Sequence, residues 1–235
     1  MAIDKFLKLD IIFKHRDWLV INKPAGILTH PDQYSQGKTL VDLLLAEYPE
    51  IKNIGEAGRP GLVHRLDKDV SGLMVIARTQ RFFDHIIAQF KNDQVKKEYL
   101  ALVYGQPPSE EGKIDLPLAR TGTGKIVAVA YHGQLKNEKL AVTEYQIIEK
   151  FKKYTLLRVH PLTGRTNQIR VHLRAINCPI VGDKVYGFKD KHDDLGRIFL
   201  HAAYLGFYDL DNQWQEFKSD LPDELISFLA KTKIK

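Results

Sequence analysis

Apolar and polar residues alternate along this chain in short segments, and their spacing switches repeatedly between that of strands and that of helices. Short runs rich in apolar and β-branched residues, bounded by turn residues, predict strands. Those runs are residues 11–13, 18–21, 73–77, 99–104, 142–148, 154–159 and 198–208. Because strands predominate and helices are interspersed, the pattern predicts an α+β fold with a mixed, largely antiparallel central sheet flanked by helices and loops.

Four segments carry apolar residues at helical spacing, and each follows a residue suited to begin a helix. Thr39, Thr79 and Thr166 are the expected N-cap residues of three helices. Pro222 is expected at the start of the fourth, over 223–231. The segment 105–112, rich in Gly, Pro and Ser, is the candidate for an internal break. It is too short to define a domain boundary, so we expect one domain over 1–235.

The composition is that of an ordinary globular protein, with 44% hydrophobic and 27% charged residues. No apolar run approaches the roughly 18 residues of a membrane span, and the first ten residues lack the apolar core of a signal peptide. Cys178 is the only cysteine, which excludes an internal disulfide and a cysteine-rich zinc site. We therefore expect a cytoplasmic protein with no membrane partner.

The net charge is +6, and its distribution along the chain says more than its size. No acidic residue lies between Glu149 and Asp183. Clustered cations without counter-charge are typical of a site for a nucleic-acid backbone, although a solvated basic face is the alternative interpretation. The basic residues of this stretch are Lys150, Lys152, Lys153, Arg158, Arg165, Arg170 and Arg174, with His160 and His172.

The densest group of polar residues is His-Arg-Leu-Asp-Lys-Asp-Val-Ser-Gly at 64–72, between a glycine-rich segment and a predicted buried strand. This setting predicts a loop at a sheet edge, where functional residues concentrate. Asp67 lies between Arg65 and Lys68, and neighbouring cations favour the ionised carboxylate. An ionised, positioned carboxylate can act as a nucleophile or as an electrostatic stabiliser. The alternative is an Asx-type turn with surface ion pairs.

This loop resembles the signature of the RluA family of RNA pseudouridine synthases. Further segments resemble blocks of the same family, in the same order along the chain. They are residues 18–26, 58–63, 73–77, 96–105, 162–173, 179–183 and 200–202. Several separate blocks in the right order make the resemblance specific, and they extend over nearly the whole chain.

The resemblance implies isomerisation of uridine to pseudouridine in structured RNA after base flipping, with no cofactor and no metal. It implies that Asp67 is the nucleophile, attacking either the ribose anomeric carbon or the base. A route through a glycal intermediate is a third description. Tyr99 is implied as the general acid and base beside the sugar. Arg170 is implied as the ion-pair partner that keeps Asp67 anionic.

The resemblance also implies a set of RNA-binding residues. Arg65 matches the arginine that fills the gap left by the flipped base. Leu200 matches an apolar residue beside the uracil ring, although core packing explains it equally well. Arg165 and Arg174 belong to the basic stretch expected to bind phosphates. Asn167 stands where the family usually has histidine, and we expect any effect of this change on RNA affinity or target choice rather than on catalysis.

The expected partner is RNA rather than DNA, bound by a monomer. The expected substrate is large-subunit (23S) ribosomal RNA, and transfer RNA is the alternative. The first family-like strand begins near residue 11, so we expect no separate N-terminal S4 RNA-binding domain. Target recognition is then expected from the catalytic domain or from the insertion 105–139.

Three rival interpretations differ in class. A non-catalytic RNA-binding or assembly protein on the same scaffold is the first. His64 is expected to be a structural, hydrogen-bonding histidine rather than a catalytic one. A glycosidase is the second, but it needs a second carboxylate that does not stand out here. A phosphate-binding loop at Gly122-Thr123-Gly124-Lys125 is the third. It lacks the required glycine spacing and the following Ser or Thr, so a turn is expected there.

Overall fold

A computed structural model of the chain describes residues 8–31, 37–129, 137–188 and 195–233. Two expectations from the sequence fall partly outside these residues. The absence of a signal peptide concerns residues 1–7, and the insertion 105–139 includes residues 130–136. No helix in the described ranges is both long and apolar enough to cross a membrane.

The strands and helices are numbered in chain order. The strands are β1 (Ile11–Lys14), β2 (Trp18–Lys23), β3 (Gly55–Glu56), β4 (Arg59–Pro60), β5 (Ser71–Ala77), β6 (Lys96–Tyr104), β7 (Glu111–Asp115), β8 (Leu118–Arg120), β9 (Ile126–Ala128), β10 (Val142–Lys150), β11 (Tyr154–Pro161), β12 (Leu200–Tyr208) and β13 (Trp214–Lys218). The helices are α1 (Leu40–Glu47), α2 (Gln80–Lys91), α3 (Gln168–Ala175) and α4 (Asp223–Lys233), and a short 3₁₀ helix covers Pro49–Asn53. The α+β class expected from the sequence is confirmed.

The chain forms two compact units. The first comprises Met1–Lys96 and Ala202–Ser219, and the second comprises Lys97–His201 and Asp220–Lys235. The segment 105–112 lies inside the second unit, where it connects β6 to β7, so no unit boundary falls at the candidate break. The single catalytic domain over 1–235 stays a prediction.

In the first unit, strands β1, β2, β5, β12 and β13 are neighbours in that order. The β1–β2, β2–β5 and β12–β13 pairs are antiparallel. All seven residues of β5 are buried, because α2 and aromatic residues from β2 and β12 pack beside it. Gly72 in β5 has φ +122°, and a Cβ there would lie 2.3 Å from the carbonyl oxygen of Ala202. Only glycine permits this close approach of two strands, just after the Asp67 loop.

In the second unit, strands β6, β11, β10 and β7 form an antiparallel series. The β8–β9 hairpin packs on α3 through a small apolar cluster that includes Leu118, Val171 and Tyr186. Residues 121–125 make the tight turn of this hairpin, as Thr121 and Lys125 hydrogen-bond across it. The turn expected at 122–125 is therefore confirmed.

Two of the three expected threonine caps are confirmed. The hydroxyl of Thr39 accepts from the backbone N–H of Asp42, and that of Thr79 accepts from Phe82. The expectation for Thr166 is wrong, because α3 begins after Asn167, whose φ of 55° is left-handed. The side-chain oxygen of Gln168 instead accepts from the Arg165 N–H and the Thr163 hydroxyl, so the turn before α3 is held by the first helical residue.

Candidate active site

The Asp67 loop runs between β4 and β5 in the first unit. Asp67 is half-buried, Arg65 is exposed, and Leu66 between them is buried. A buried apolar residue flanked by polar residues makes the loop's backbone bend toward the core while both flanking side chains stay near the surface. The loop predicted from the sequence is therefore confirmed as an ordered feature, with Asp67 on it.

Thr29 fixes the backbone immediately before Asp67. Its hydroxyl donates to the carbonyl of Leu66 at 2.7 Å and accepts from the N–H of the same residue at 3.3 Å. Thr29 is 2% exposed, so both bonds are shielded from water. Both backbone polar groups of Leu66 are therefore satisfied by one buried side chain, which the sequence analysis did not single out.

Lys23 fixes the backbone immediately after Asp67. Its ammonium group is fully buried and donates to the carbonyls of Pro24, Ile27 and Lys68 at 2.8, 2.9 and 3.1 Å. The N–H of Gly26 also donates to the Lys68 carbonyl, at 2.8 Å. The turn after β2 is thereby joined to the Asp67 loop. A lysine that ends a strand beginning with four consecutive apolar residues was the available sequence signal, since lysine is almost never fully buried without partners.

His64 anchors the start of the loop to β5. Its Nε2 accepts from the backbone N–H of Val75 at 3.0 Å, so this ring nitrogen carries no proton. The structural role expected for His64 is confirmed. Together, His64, Thr29 and Lys23 fix the backbone on both sides of Asp67, so its carboxylate starts from a rigid support.

The other two predicted catalytic residues lie in the second unit. Tyr99 is in β6, opposite Val159 of β11, and is 9% exposed. Arg170 is in the first turn of α3, with its side chain 14% exposed. The ion pair expected between Arg170 and Asp67 stays a prediction.

Arg170 makes a bidentate ion pair with Asp183, a residue to which the sequence analysis assigned no role. Its Nε and Nη2 donate to the two carboxylate oxygens at 2.7 and 2.9 Å. One of those oxygens also accepts from the backbone N–H groups of Val185 and Tyr186. Burial opposes ionisation of Asp183, but the guanidinium and these N–H donors hold its pKa below the ordinary value. The pair is therefore a charged one at neutral pH.

Arg170 and Arg174, the two arginines of α3, face the same side of the helix, and each lies against an aromatic ring. Arg170 and Arg174 are four residues apart, so both project from one face of the helix. The guanidinium of Arg170 lies 5.0 Å from the ring centre of Tyr186, and that of Arg174 lies 4.8 Å from that of Phe188. The segment 183–188 thus supports both cations.

Several cations of the basic stretch have acidic partners from elsewhere in the chain. Lys150 pairs with Glu110, and Arg158 pairs with Glu98 at 3.3 Å. Among the described residues, Arg165 and Arg174 are in no ion pair, and both are exposed. The Nε of Arg165 donates to the Leu140 carbonyl at 3.0 Å, which fixes the direction of this side chain. The charges available to a phosphate are therefore fewer than the sequence indicates.

Leu200, the first residue of β12, is 3% exposed. This burial agrees with core packing, and its position beside a uracil stays a prediction. No group of three or more His, Cys, Asp or Glu side chains in the described ranges is arranged to hold a metal ion.

A buried chain of hydrogen bonds fixes α3 to the strands beneath it. The amide of Gln168 donates to the hydroxyl of Thr143 at 3.0 Å, and this hydroxyl bonds to Nδ1 of His172 at 2.8 Å. Nε2 of His172 bonds to the carbonyl of Leu116 at 2.9 Å. A carbonyl only accepts, so Nε2 carries the proton of a neutral ring. Burial lowers the pKa of His172, which keeps the ring in this neutral form.

The fold and these sites define an α+β protein with a half-buried aspartate on a braced loop and two arginines on one face of a helix. A family model described as RNA pseudouridylate synthase matches residues 17–175. The chain belongs to the RNA pseudouridylate synthase family, whose members are isomerases, and the resemblance found in the motifs is confirmed.

Individual relatives agree with this assignment. A protein from Chloroflexus aurantiacus, named an uncharacterized RNA pseudouridine synthase, is 47% identical over 206 residues; the match covers 87% of this chain and 63% of that protein. Ribosomal large subunit pseudouridine synthase D from Pseudomonas aeruginosa is 42% identical, with 95% of this chain and 72% of the relative covered. The solved structure of human RNA Pseudouridylate Synthase Domain Containing 4 is 27% identical, with a TM-score of 0.76 and coverage of 95% and 92%.

The Thr29 bonds predict a measurable stabilisation of the Asp67 loop. Thr29→Val keeps the side-chain shape but leaves the polar backbone groups of Leu66 unpaired in a buried site. We expect the free energy of unfolding to fall by about 1–3 kcal/mol, measured by urea denaturation. Thr166→Val is the matched control, because Thr166 is exposed and caps no helix. A loss of less than about 0.5 kcal/mol is expected for it. Equal effects of the two substitutions would contradict the role given to Thr29.

The buried neutral His172 predicts a loss of stability in mild acid. Its folded-state pKa lies below the unfolded value of about 6.5. Its contribution is therefore complete above that value and declines as the pH falls toward the folded pKa. We expect up to about 1.4 kcal/mol of unfolding free energy to be lost per pH unit below 6.5, measured by urea denaturation between pH 7.5 and 5.5. An equally steep decline in His172→Asn protein would remove His172 as the cause.

Proposed function

We propose that this chain isomerises uridine to pseudouridine in large-subunit ribosomal RNA, with Asp67 as the nucleophile. The observation that carries the proposal is the position of Asp67. It is the aspartate of the family signature, and buried Thr29 and Lys23 brace the backbone on either side of it. Ribosomal RNA is proposed because relatives from Pseudomonas aeruginosa and Zymomonas mobilis are named ribosomal large subunit pseudouridine synthase D.

The reaction breaks the bond between N1 of uracil and C1′ of ribose and forms a bond between C5 and C1′. The hydrogen on C5 leaves as a proton and N1 gains one, so no electrons and no external group are transferred. One carboxylate and one proton-transfer group therefore meet its chemical needs. In this proposal Asp67 attacks C1′ or the base, or assists a glycal route, and Tyr99 moves the proton beside the sugar.

Arg170 is proposed to stabilise the anionic form of Asp67. Its guanidinium is held by Asp183, so it carries a permanent charge in a fixed orientation. A fixed charge needs no reorganisation when charge develops in a reaction, and this is the largest advantage that a preorganised site has over water.

RNA binding is proposed to use Arg165 and Arg174 for phosphates and Arg65 for the gap left by the flipped uridine. Arg65 is exposed and two residues before Asp67, so it lies beside the proposed nucleophile in sequence and on the same loop. We also propose that residues 1–235 act as one catalytic domain, as a monomer, in the cytoplasm where ribosomal RNA is modified.

Replacing Asp67 separates catalysis from RNA binding. Asp67→Asn keeps the shape of the side chain but removes its charge and most of its nucleophilicity. We expect tritium release from RNA labelled at uracil C5 to fall by at least about a thousandfold, with RNA binding retained. Asp69→Asn is the matched control, because Asp69 is exposed in the same loop, and its rate should stay within about twofold of the parent.

The same assay distinguishes the RNA targets. Unmodified ribosomal and transfer RNA are supplied separately, and release from ribosomal RNA alone is expected. Release from transfer RNA alone would overturn the proposed substrate. RNA binding without release from either would favour a non-catalytic RNA-binding protein.

Salt dependence tests the phosphate contacts. Arg174→Ala removes an exposed cation that has no described ion-pair partner, so we expect the slope of log Kd against log salt concentration to decrease by about one unit. Lys150→Ala is the control, because Lys150 is paired with Glu110, and it should leave the slope unchanged. Identical slopes for Arg174→Ala and the parent would contradict a phosphate contact at Arg174.

A further inference from the structure

Asn167 adopts a left-handed backbone conformation immediately before α3. Its φ and ψ are 55° and 17°, in the left-handed region, which costs most residues about 1–2 kcal/mol. An asparagine before a helix commonly accepts a hydrogen bond from the first turn, but this side chain makes no capping bond. The conformation therefore needs another explanation, and the side-chain contacts supply it.

The amide of Asn167 connects two other side chains. Its Oδ1 accepts from Nη1 of Arg170 at 3.0 Å, and its Nδ2 donates to the phenol oxygen of Tyr186 at 3.2 Å. Arginine only donates, so the oxygen must face Arg170 and the nitrogen must face Tyr186. Tyr186 is 6% exposed, and burial raises the pKa of its phenol, so the ring stays neutral while it accepts this bond.

The guanidinium of Arg170 is thereby held in more than one direction. The ion pair with Asp183 uses the Nε and Nη2 edge and aligns the guanidinium with the carboxylate plane. The bond to Asn167 uses Nη1, and the ring of Tyr186 lies against the guanidinium face. The bond to Asn167 and the contact with Tyr186 oppose a tilt of the Arg170 guanidinium out of the carboxylate plane. The ion pair alone would permit this tilt. The ammonium group of Lys125, at the end of the β8–β9 turn, lies 5.1 Å from the centre of the Tyr186 ring.

Few residue types meet all the requirements of this position. Asparagine tolerates the left-handed conformation and offers both an acceptor for Arg170 and a donor for Tyr186. Glycine meets only the backbone requirement, and aspartate offers an acceptor without a donor. A left-handed residue whose side chain makes such specific contacts is a reason to look for a functional role.

We propose that Asn167, acting with Tyr186, is a positioning residue that sets the orientation of the Arg170 guanidinium for the chemical step. This inference rests on the proposed role of Arg170 in catalysis. It differs from the sequence-based expectation that Asn167 acts through RNA affinity or target choice, and the experiment below distinguishes the two. The amide touches Arg170, so its effect is on the rate of isomerisation rather than on RNA binding.

Asn167→Gly tests the proposal, because glycine adopts the same backbone conformation without strain and lacks only the amide. Single-turnover tritium release with saturating protein gives the rate, and filter binding gives the Kd for the same RNA. We expect the rate to fall at least about tenfold, the size of effect known for small misplacements of a catalytic group. The Kd should stay within about twofold.

Three further variants make the result specific. Asn167→Asp keeps the acceptor for Arg170, so its rate should lie between those of the parent and Asn167→Gly. Tyr186→Phe keeps the ring but loses the phenol oxygen, so a smaller fall is expected; it also tests the proposal if Asn167→Gly does not fold. Asn177→Gly is the matched control, since Asn177 has φ 59° at the other end of α3, is exposed, and should leave both rate and Kd unchanged.

An unchanged rate in both Asn167→Gly and Tyr186→Phe would overturn the proposal. A weaker Kd with an unchanged rate would overturn it in favour of a direct RNA contact. Arg170→Ala is measured in parallel to separate this inference from the proposed function. A parental rate in Arg170→Ala would refute the catalytic role of Arg170 itself, whereas a large loss there with none in Asn167→Gly would refute only the role of Asn167.

Discussion

The buried ion pair between Arg170 and Asp183 determines how the functional face of α3 is arranged. The Asp183 side chain is fully buried, so its charge requires compensation, and Arg170 together with two backbone N–H groups provides it. Because those N–H groups belong to the segment after Asp183, the same contacts place Tyr186 beneath Arg170. The need to compensate the buried charge of Asp183 thus fixes the guanidinium of Arg170, the ring of Tyr186 and the path of the chain after Asp183.

The two units support their functional side chains by different means. In the first, uncharged hydrogen bonds from Thr29 and His64 and the buried ammonium of Lys23 hold the backbone around Asp67. In the second, an ion pair and an amide hold the side chain of Arg170. The difference suits the roles proposed for Asp67 and Arg170. A nucleophile needs a defined backbone and a reactive carboxylate, whereas a stabilising cation acts through the fixed position of its own charge.

The basic stretch 149–183 illustrates why local charge counts overstate a binding surface. Two acidic residues far away in sequence pair with cations of the stretch, Glu98 with Arg158 and Glu110 with Lys150. Asp183 forms an ion pair with Arg170. Arg165 and Arg174, near the two ends of α3, keep their charge available to solvent. Exposed Lys152 and Lys153 also lie in this stretch. The charges left for an RNA backbone are therefore fewer than the sequence count.

From the amino-acid sequence alone we could predict the α+β class, most strand positions, two of the three threonine caps, the loop that carries Asp67 and the family. Those features depend on local spacing, turn chemistry and contiguous motifs, which a single sequence displays. The sequence did not reveal the β8–β9 hairpin, the start of α3 after Asn167, or the supporting roles of Thr29, Lys23, Asp183 and Tyr186. The hairpin strands have only three residues each, too few to show an alternating pattern, and at α3 Gln168 takes the place of the expected cap. The supporting roles became visible only in the folded chain, because they depend on which donor, acceptor or counter-charge meets a buried polar group. Residues 37 or 45 positions apart carry no local sign of that pairing.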